Sequence, residues 1–103
     1  MNKYGLHGKL TAKAGNREKL AQILLEAARL LSETKGCQLY VIGIDDNDEE
    51  AVWVTEVWDT KEDHENSLKV ESTRALIAQA IPILDGMPEK GQELRVLGGL
   101  GIH

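Results

Sequence analysis

A chain of 103 residues, 42% hydrophobic and 28% charged, has the composition of one globular domain, and its apolar runs are too short to cross a membrane. Its net charge of -5, with no Phe and no aromatic residues set among basic ones, argues against nucleic-acid binding. A lone Cys37 allows no internal disulfide and no CxxC site, and the first ten residues lack the apolar stretch of a secretory signal, so a cytoplasmic protein is expected.

The first expected element is a strand from Lys3 to Thr11, with Tyr4, Leu6, Gly8 and Leu10 on one face and Gly5, His7, Lys9 and Thr11 on the other. Asn16 then reads as the N-cap of a helix. Leu20, Ile23, Leu24, Ala27, Ala28 and Leu31 recur along it at three- and four-residue spacing, and Gly36 supplies its stop. The β-branched and aromatic segment from Cys37 to Ile44 predicts a second strand. The acidic run DDNDEE that follows lacks the central glycine and distant bidentate glutamate of a calcium loop, and is read as a solvated hairpin turn.

The returning strand places Val52, Val54, Glu56 and Trp58 on one face and Trp53, Thr55 and Val57 on the other. One carboxylate therefore stands among apolar neighbours. Thr60 and Asp63 form a T-x-x-D capping pattern that starts a second helix and sets His64 in its first turn. That helix is expected to run from Lys61 to about Ile81, close to Pro82, burying Leu68, Leu76, Ile77, Ala80 and Ile81 and keeping His64, Leu68, Ser72 and Ala75 on a common side. A final strand, Glu93 to Leu97, runs into GGLGI. Those glycines lack the strand-before and helix-after setting of a phosphate loop.

This order predicts an α+β, ferredoxin-like βαββαβ domain over residues 1–103: a four-stranded antiparallel sheet with both helices on one face. Its strands are apolar on both faces, since Cys37, Leu39 and Val41 alternate with Tyr40, Ile42 and Ile44. A second copy of the sheet is the simplest cover for the face without helices, so a homodimer is expected.

Three segments carry a family resemblance: E-V-W-D at Glu56 to Asp59 with His64 behind it, K-G-C-Q-L-Y at Lys35 to Tyr40, and the closing R-V-L-G-G-L-G-I. Together the chain resembles the antibiotic biosynthesis monooxygenases, and within them the quinol monooxygenase branch. The resemblance implies a dimeric α+β barrel with a pocket in each subunit between sheet and helices. It also implies oxidation of a quinol, phenol or polycyclic aromatic by molecular oxygen with no metal or flavin cofactor. Haem-degrading members of the family instead use a first-strand asparagine, a third-strand tryptophan and a helix histidine as iron ligand. Trp58 and His64 match two of these, but Gly8 stands near the place of the asparagine.

A deprotonated phenol can give oxygen one electron directly, so the chemistry asks for a base in a dry cavity. An imidazole, whose ordinary pKa is about 6.5, is suited to taking a phenolic proton at neutral pH, and His64 fits that role. Trp58 offers a flat wall and an N–H donor toward a developing oxyanion, and Glu56 could orient the imidazole or hold a substrate hydroxyl. Val54 and Leu68 are expected to add apolar wall. Arg74, farther along the same helix, reaches an anionic oxygen only if its side chain turns inward. The bland alternatives are a half-exposed surface His64, tryptophans that serve as core or interface anchors, a packed interface His7 and a small buried Cys37. A non-catalytic dimer that binds a small aromatic, as in a stress response, is the competing function.

Overall fold

The structure, a computed structural model, describes residues 2–86 and 91–102. Its elements are β1 (Lys3–Thr11), α1 (Arg17–Leu31), β2 (Cys37–Ile44), β3 (Ala51–Trp58), α2 (Lys61–Ser67), α3 (Glu71–Ala80), a single 3-10 turn (Ile81–Ile83) and β4 (Gln92–Val96). The strands form one antiparallel sheet in the order β2-β3-β1-β4. This is the expected ferredoxin-like α+β arrangement. Among the described residues no helix is long and apolar enough to cross a membrane.

Period-two alternation sorts the sheet into two faces. Val52, Val54, Glu56 and Trp58 of β3 look toward the helices, together with their ladder partners Leu10, Gly8, Leu6 and Tyr4 on β1. The core forms where α1 sets Leu20, Ile23 and Leu24 against Val52 and Val54, closed by Ile83 and Leu84. The outer face carries Trp53, Thr55 and Val57. On it His7 Nδ1 lies 3.0 Å from Thr55 Oγ1, and the His7 ring stacks on Trp53 at 5.1 Å between centroids.

The hairpin turn is stitched locally, as its composition suggests: Asp45 accepts the Asn47 N–H at 2.8 Å and Asp48 accepts the Glu50 N–H at 3.2 Å. The expected start of α1 holds in place and the expected stop does not. Asn16 occupies the N-cap position of α1, yet its side chain donates to the Ala14 carbonyl and caps nothing. Gly36 does not stop α1, which ends at Leu31 on a right-handed Ser32. Gly36 instead turns the chain into β2 at φ 85°, and a Cβ there would meet Asp63 of α2 at 2.3 Å.

The largest correction concerns the second helix, which is two helices. In a continuous helix the His64 carbonyl would accept the Leu68 N–H; here the Ser67 hydroxyl donates to that carbonyl at 2.6 Å. The N–H groups of Leu68, Lys69 and Val70 turn to carbonyls three residues back, at 3.2, 3.1 and 3.3 Å. The turn tightens, Val70 takes an extended conformation, and α3 starts afresh. Consequently His64 and Leu68 do not share a helix face with Ser72 and Ala75. No residue of α3 is buried, and Leu68, Ile77 and Ile81 are exposed, contrary to expectation. Leu76 and Ala80 alone of the expected set pack against the core.

A smaller correction sits at the start of β2. A bulge between Cys37 and Leu39 sets Cys37 opposite Trp58, on the helix side, whereas Leu39 faces Val57 on the outer side. Strict alternation from Leu39 had put both on one face. The last strand is displaced by one residue, starting at Gln92 and ending at Val96.

Candidate active site

At the end of β3 the chain must leave the sheet and begin α2, and both ends of this junction are pinned. The Asp59 N–H donates to the Gly36 carbonyl at 2.7 Å. The Thr60 hydroxyl accepts the Asp63 N–H at 3.0 Å, which is the expected cap. His64 is thereby held over the inner face of the sheet, beside Trp58 and Glu56.

Trp58 is fully buried, and its indole N–H donates to Glu56 Oε1 at 3.0 Å. His64 Nε2 approaches that same oxygen at 3.8 Å, too far for a direct hydrogen bond but close for an ion pair or a bridging group. The His64 ring meets Trp58 edge-on at 5.6 Å and tilts against Tyr4 at 5.8 Å. The side chains of His64 and Glu56 are only 16% and 15% exposed. Burial pushes the Glu56 carboxyl up from its ordinary value, against the smaller opposing pulls of the Trp58 hydrogen bond and the His64 charge. Tyr4, desolvated and donating to Glu93 Oε2 at 2.9 Å, has its phenol pushed up to about 12.

Of these groups, Glu56 and His64 line a cavity of about 340 Å³ between the sheet, α1 and α3, a size suited to a small ligand. Its wall is almost wholly aliphatic, including Leu10, Ile23, Leu24, Leu68 and Leu76, and its side-chain polar groups are those of Tyr40, Glu56, His64, Ser67 and Thr73. A smaller hollow of about 170 Å³ adjoins it, sharing Leu10, Tyr40 and Glu56 and bounded by Val54 and Gly8. Among the described residues no buried side-chain nitrogen or oxygen lacks a hydrogen bond. Glu56 Oε2 and the Tyr40 hydroxyl, which have no such partner, must therefore reach accessible space.

Of the expected site residues, Glu56, His64 and Leu68 line the main cavity together. Val54 lines only the smaller hollow. Arg74 is exposed on α3 and touches neither, because the break after Ser67 removes it from the helix that carries His64. Trp58 is no cavity wall: it lies behind Glu56, and its N–H is committed to that carboxylate. Its part in the site is to orient Glu56. The residue missed from sequence is Tyr40. It stands directly opposite Glu56 in the β2–β3 ladder, a position that counting back across the acidic turn could have found. Cys37, partly buried with its thiol pushed up chiefly by desolvation, is placed as an inert small side chain.

The haem arrangement does not fit this site. At Gly8, where an asparagine would be needed, an added Cβ would meet the Gly91 Cα at 3.0 Å. The Trp58 N–H is already taken, and His64 turns Nε2 toward a carboxylate.

The sequence profile of the antibiotic biosynthesis monooxygenase family matches residues 4–79. Among solved structures, a protein from Chloroflexus aurantiacus J-10-fl, provisionally named an antibiotic biosynthesis monooxygenase, is 40% identical with a TM-score of 0.87, and the match covers 98% of this chain and 99% of that one. A similarly named protein from Nitrosomonas europaea shares the fold at 14% identity and a TM-score of 0.84, covering 92% and 90% of the two chains. A Pseudomonas aeruginosa protein does so at 20% identity and 0.82, covering 95% and 97%. No functionally curated protein matches.

Proposed function

The chain belongs to the antibiotic biosynthesis monooxygenase family, and from that premise we propose that it oxidises a small phenolic or quinol-type aromatic with molecular oxygen, needing no cofactor. The observation that carries this reading is the Glu56 and His64 pair, both mostly buried, in the wall of an otherwise aliphatic cavity. An apolar slot of this size accepts a flat ring, and a carboxylate beside an imidazole can take the proton of its hydroxyl. The phenolate then passes one electron to triplet oxygen. Recombination of superoxide at a ring carbon gives a peroxide, the protonated base returns its proton to form the hydroperoxide, and loss of water with the hydrogen of that carbon leaves a quinone that keeps one atom of the oxygen molecule.

The active unit in this reading is a cytoplasmic homodimer of a single-domain chain. Its support is the outer sheet face, where Val41 and Leu94 are each 51% exposed beside Leu39, Trp53 and Val96.

The test is oxygen uptake with a reduced naphthoquinol, with and without chelator, for the parent and for His64→Ala. Loss of a general base lowers turnover by roughly a hundredfold. A parent that binds the quinol without consuming oxygen above the uncatalysed rate is a binding module, and the oxidase reading then fails.

A further inference from the structure

We propose that Tyr40 is the hydrogen-bond donor that stabilises the substrate's phenolate oxygen once its proton has gone to Glu56 and His64. This inference rests on the phenol-oxidising reading above and adds the residue that meets the developing charge. Removing a phenolic proton in an aliphatic cavity leaves a negative oxygen with little to solvate it, and a preorganised donor aimed at that oxygen is the usual remedy. The indole of Trp58 cannot serve, because it is buried and donates to Glu56. Ser67 cannot serve with its hydrogen, which goes to the His64 carbonyl at 2.6 Å.

Tyr40 meets the requirements. It faces the helix side of the sheet and lines both the main cavity and the adjoining hollow. It is the ladder partner of Glu56, and side chains so paired have Cβ atoms about 5 Å apart. Its hydroxyl has no hydrogen-bond partner among the described residues, although every buried polar side-chain atom among them has one. A phenol placed next to a buried carboxylate, with no internal use for its hydrogen, is free to donate into the cavity. Burial and the neighbouring Glu56 charge both push its ionisation upward, so at neutral pH it keeps that hydrogen. The bulge at Cys37 contributes by keeping the residues from Leu39 onward in step with β3, and so sets the Tyr40 ring against Glu56.

The experiment compares the parent with Tyr40→Phe, which deletes one oxygen and breaks no hydrogen bond within the protein. The probe is 4-nitrophenol, whose phenolate absorbs visibly, held at the pH where the free phenol is half ionised; 4-nitroanisole, which cannot ionise, reports packing alone. The parent is expected to bind the probe as phenolate. Tyr40→Phe is expected to bind 4-nitroanisole equally well while the ionisation constant of bound 4-nitrophenol falls by about ten- to a hundredfold, the effect of losing one hydrogen bond to a charged oxygen. Quinol turnover should fall by a similar factor with its KM little changed. Equal ionisation of the bound probe by both proteins overturns the donor role, even where His64→Ala still abolishes turnover. If instead the probe ionises in a Tyr40-dependent way but the parent consumes no oxygen, the donor stands and the monooxygenase reading is what fails.

Discussion

At the scale of single residues the site depends on how one carboxylate oxygen is shared. Glu56 Oε1 takes the Trp58 N–H and faces His64 Nε2, while Oε2 is left for the cavity. Because burial raises the Glu56 pKa, folding favours its protonated form. The stability associated with that proton is complete below the unfolded-state value of about 4.3 and is lost as pH rises through the folded value. Glu56→Gln removes the ionisation while keeping an acceptor for the indole. Its thermal midpoint should therefore gain on the parent between about pH 4 and neutrality, as its turnover falls; a difference that does not change with pH would contradict the shift. Trp58→Phe has the opposite sense for the carboxyl. It deletes a hydrogen bond to the charged form, so Glu56 titrates still higher and the acid limb of kcat/KM should move to higher pH. A limb that stays in place would mean that Glu56 does not control it. His64→Ala carries a stability cost as well as a catalytic one, about 1 kcal/mol or more, since its ring is packed between Tyr4 and Trp58 and is not a loose first-turn side chain. Calorimetry on the variant used for turnover checks this directly.

Among the elements, those written in one period were legible and those shaped by side-chain competition were not. β1, α1 and the β2–β3 hairpin follow from alternation and a helical stripe, and the same alternation groups Glu56 with Val52, Val54 and Trp58 on one face of β3. The division of α2 from α3 was not legible, because no glycine or proline marks it. It is visible only in the hydrogen bonding, where the Ser67 hydroxyl joins the His64 carbonyl and the next three N–H groups turn to carbonyls three residues back, which a periodicity count does not register. The different places of Arg74, Ile77 and Ile81 follow from that break. From sequence Gly36 reads as a helix stop, whereas its use is to let α2 approach the turn into β2. Its positive φ and the contact with Asp63 lead to an expected loss for Gly36→Ala of about 2 kcal/mol, beyond that of the backbone alone. Denaturant midpoints would show it. Because Asp63 adjoins His64, the same variant should also lose turnover.

For the whole molecule, the two faces of one sheet divide the proposed work. On the inner face Glu56 lines the cavity and Val54 the adjoining hollow, and outer residues of β3 join His7, Val41 and Leu94 in the surface assigned to a second copy. Val57 is a poor place to test that surface, since at 7% exposure it is already buried within its own subunit. Val41→Asp and Leu94→Asp are better, because both positions are half exposed and a carboxylate there costs the isolated subunit little. Light scattering should give a dimer for the parent and a folded monomer for the double variant. A parent that stays monomeric at micromolar concentration removes the proposed interface.

The contrast between β3 and α3 has a consequence for how such an enzyme could diversify. No position of β3 is exposed, so nearly any replacement there disturbs the core, the carboxylate or the outer face. Helix α3, which buries nothing completely, lends the cavity Thr73, Leu76, Ile77 and Ala80. Selection for a differently shaped ligand can therefore act on one helix and leave Glu56 and His64 untouched. A library restricted to Thr73 and Ile77, which lie outside the core cluster, would explore substrate range at little risk to folding, and the strand would pass unchanged from one specificity to the next.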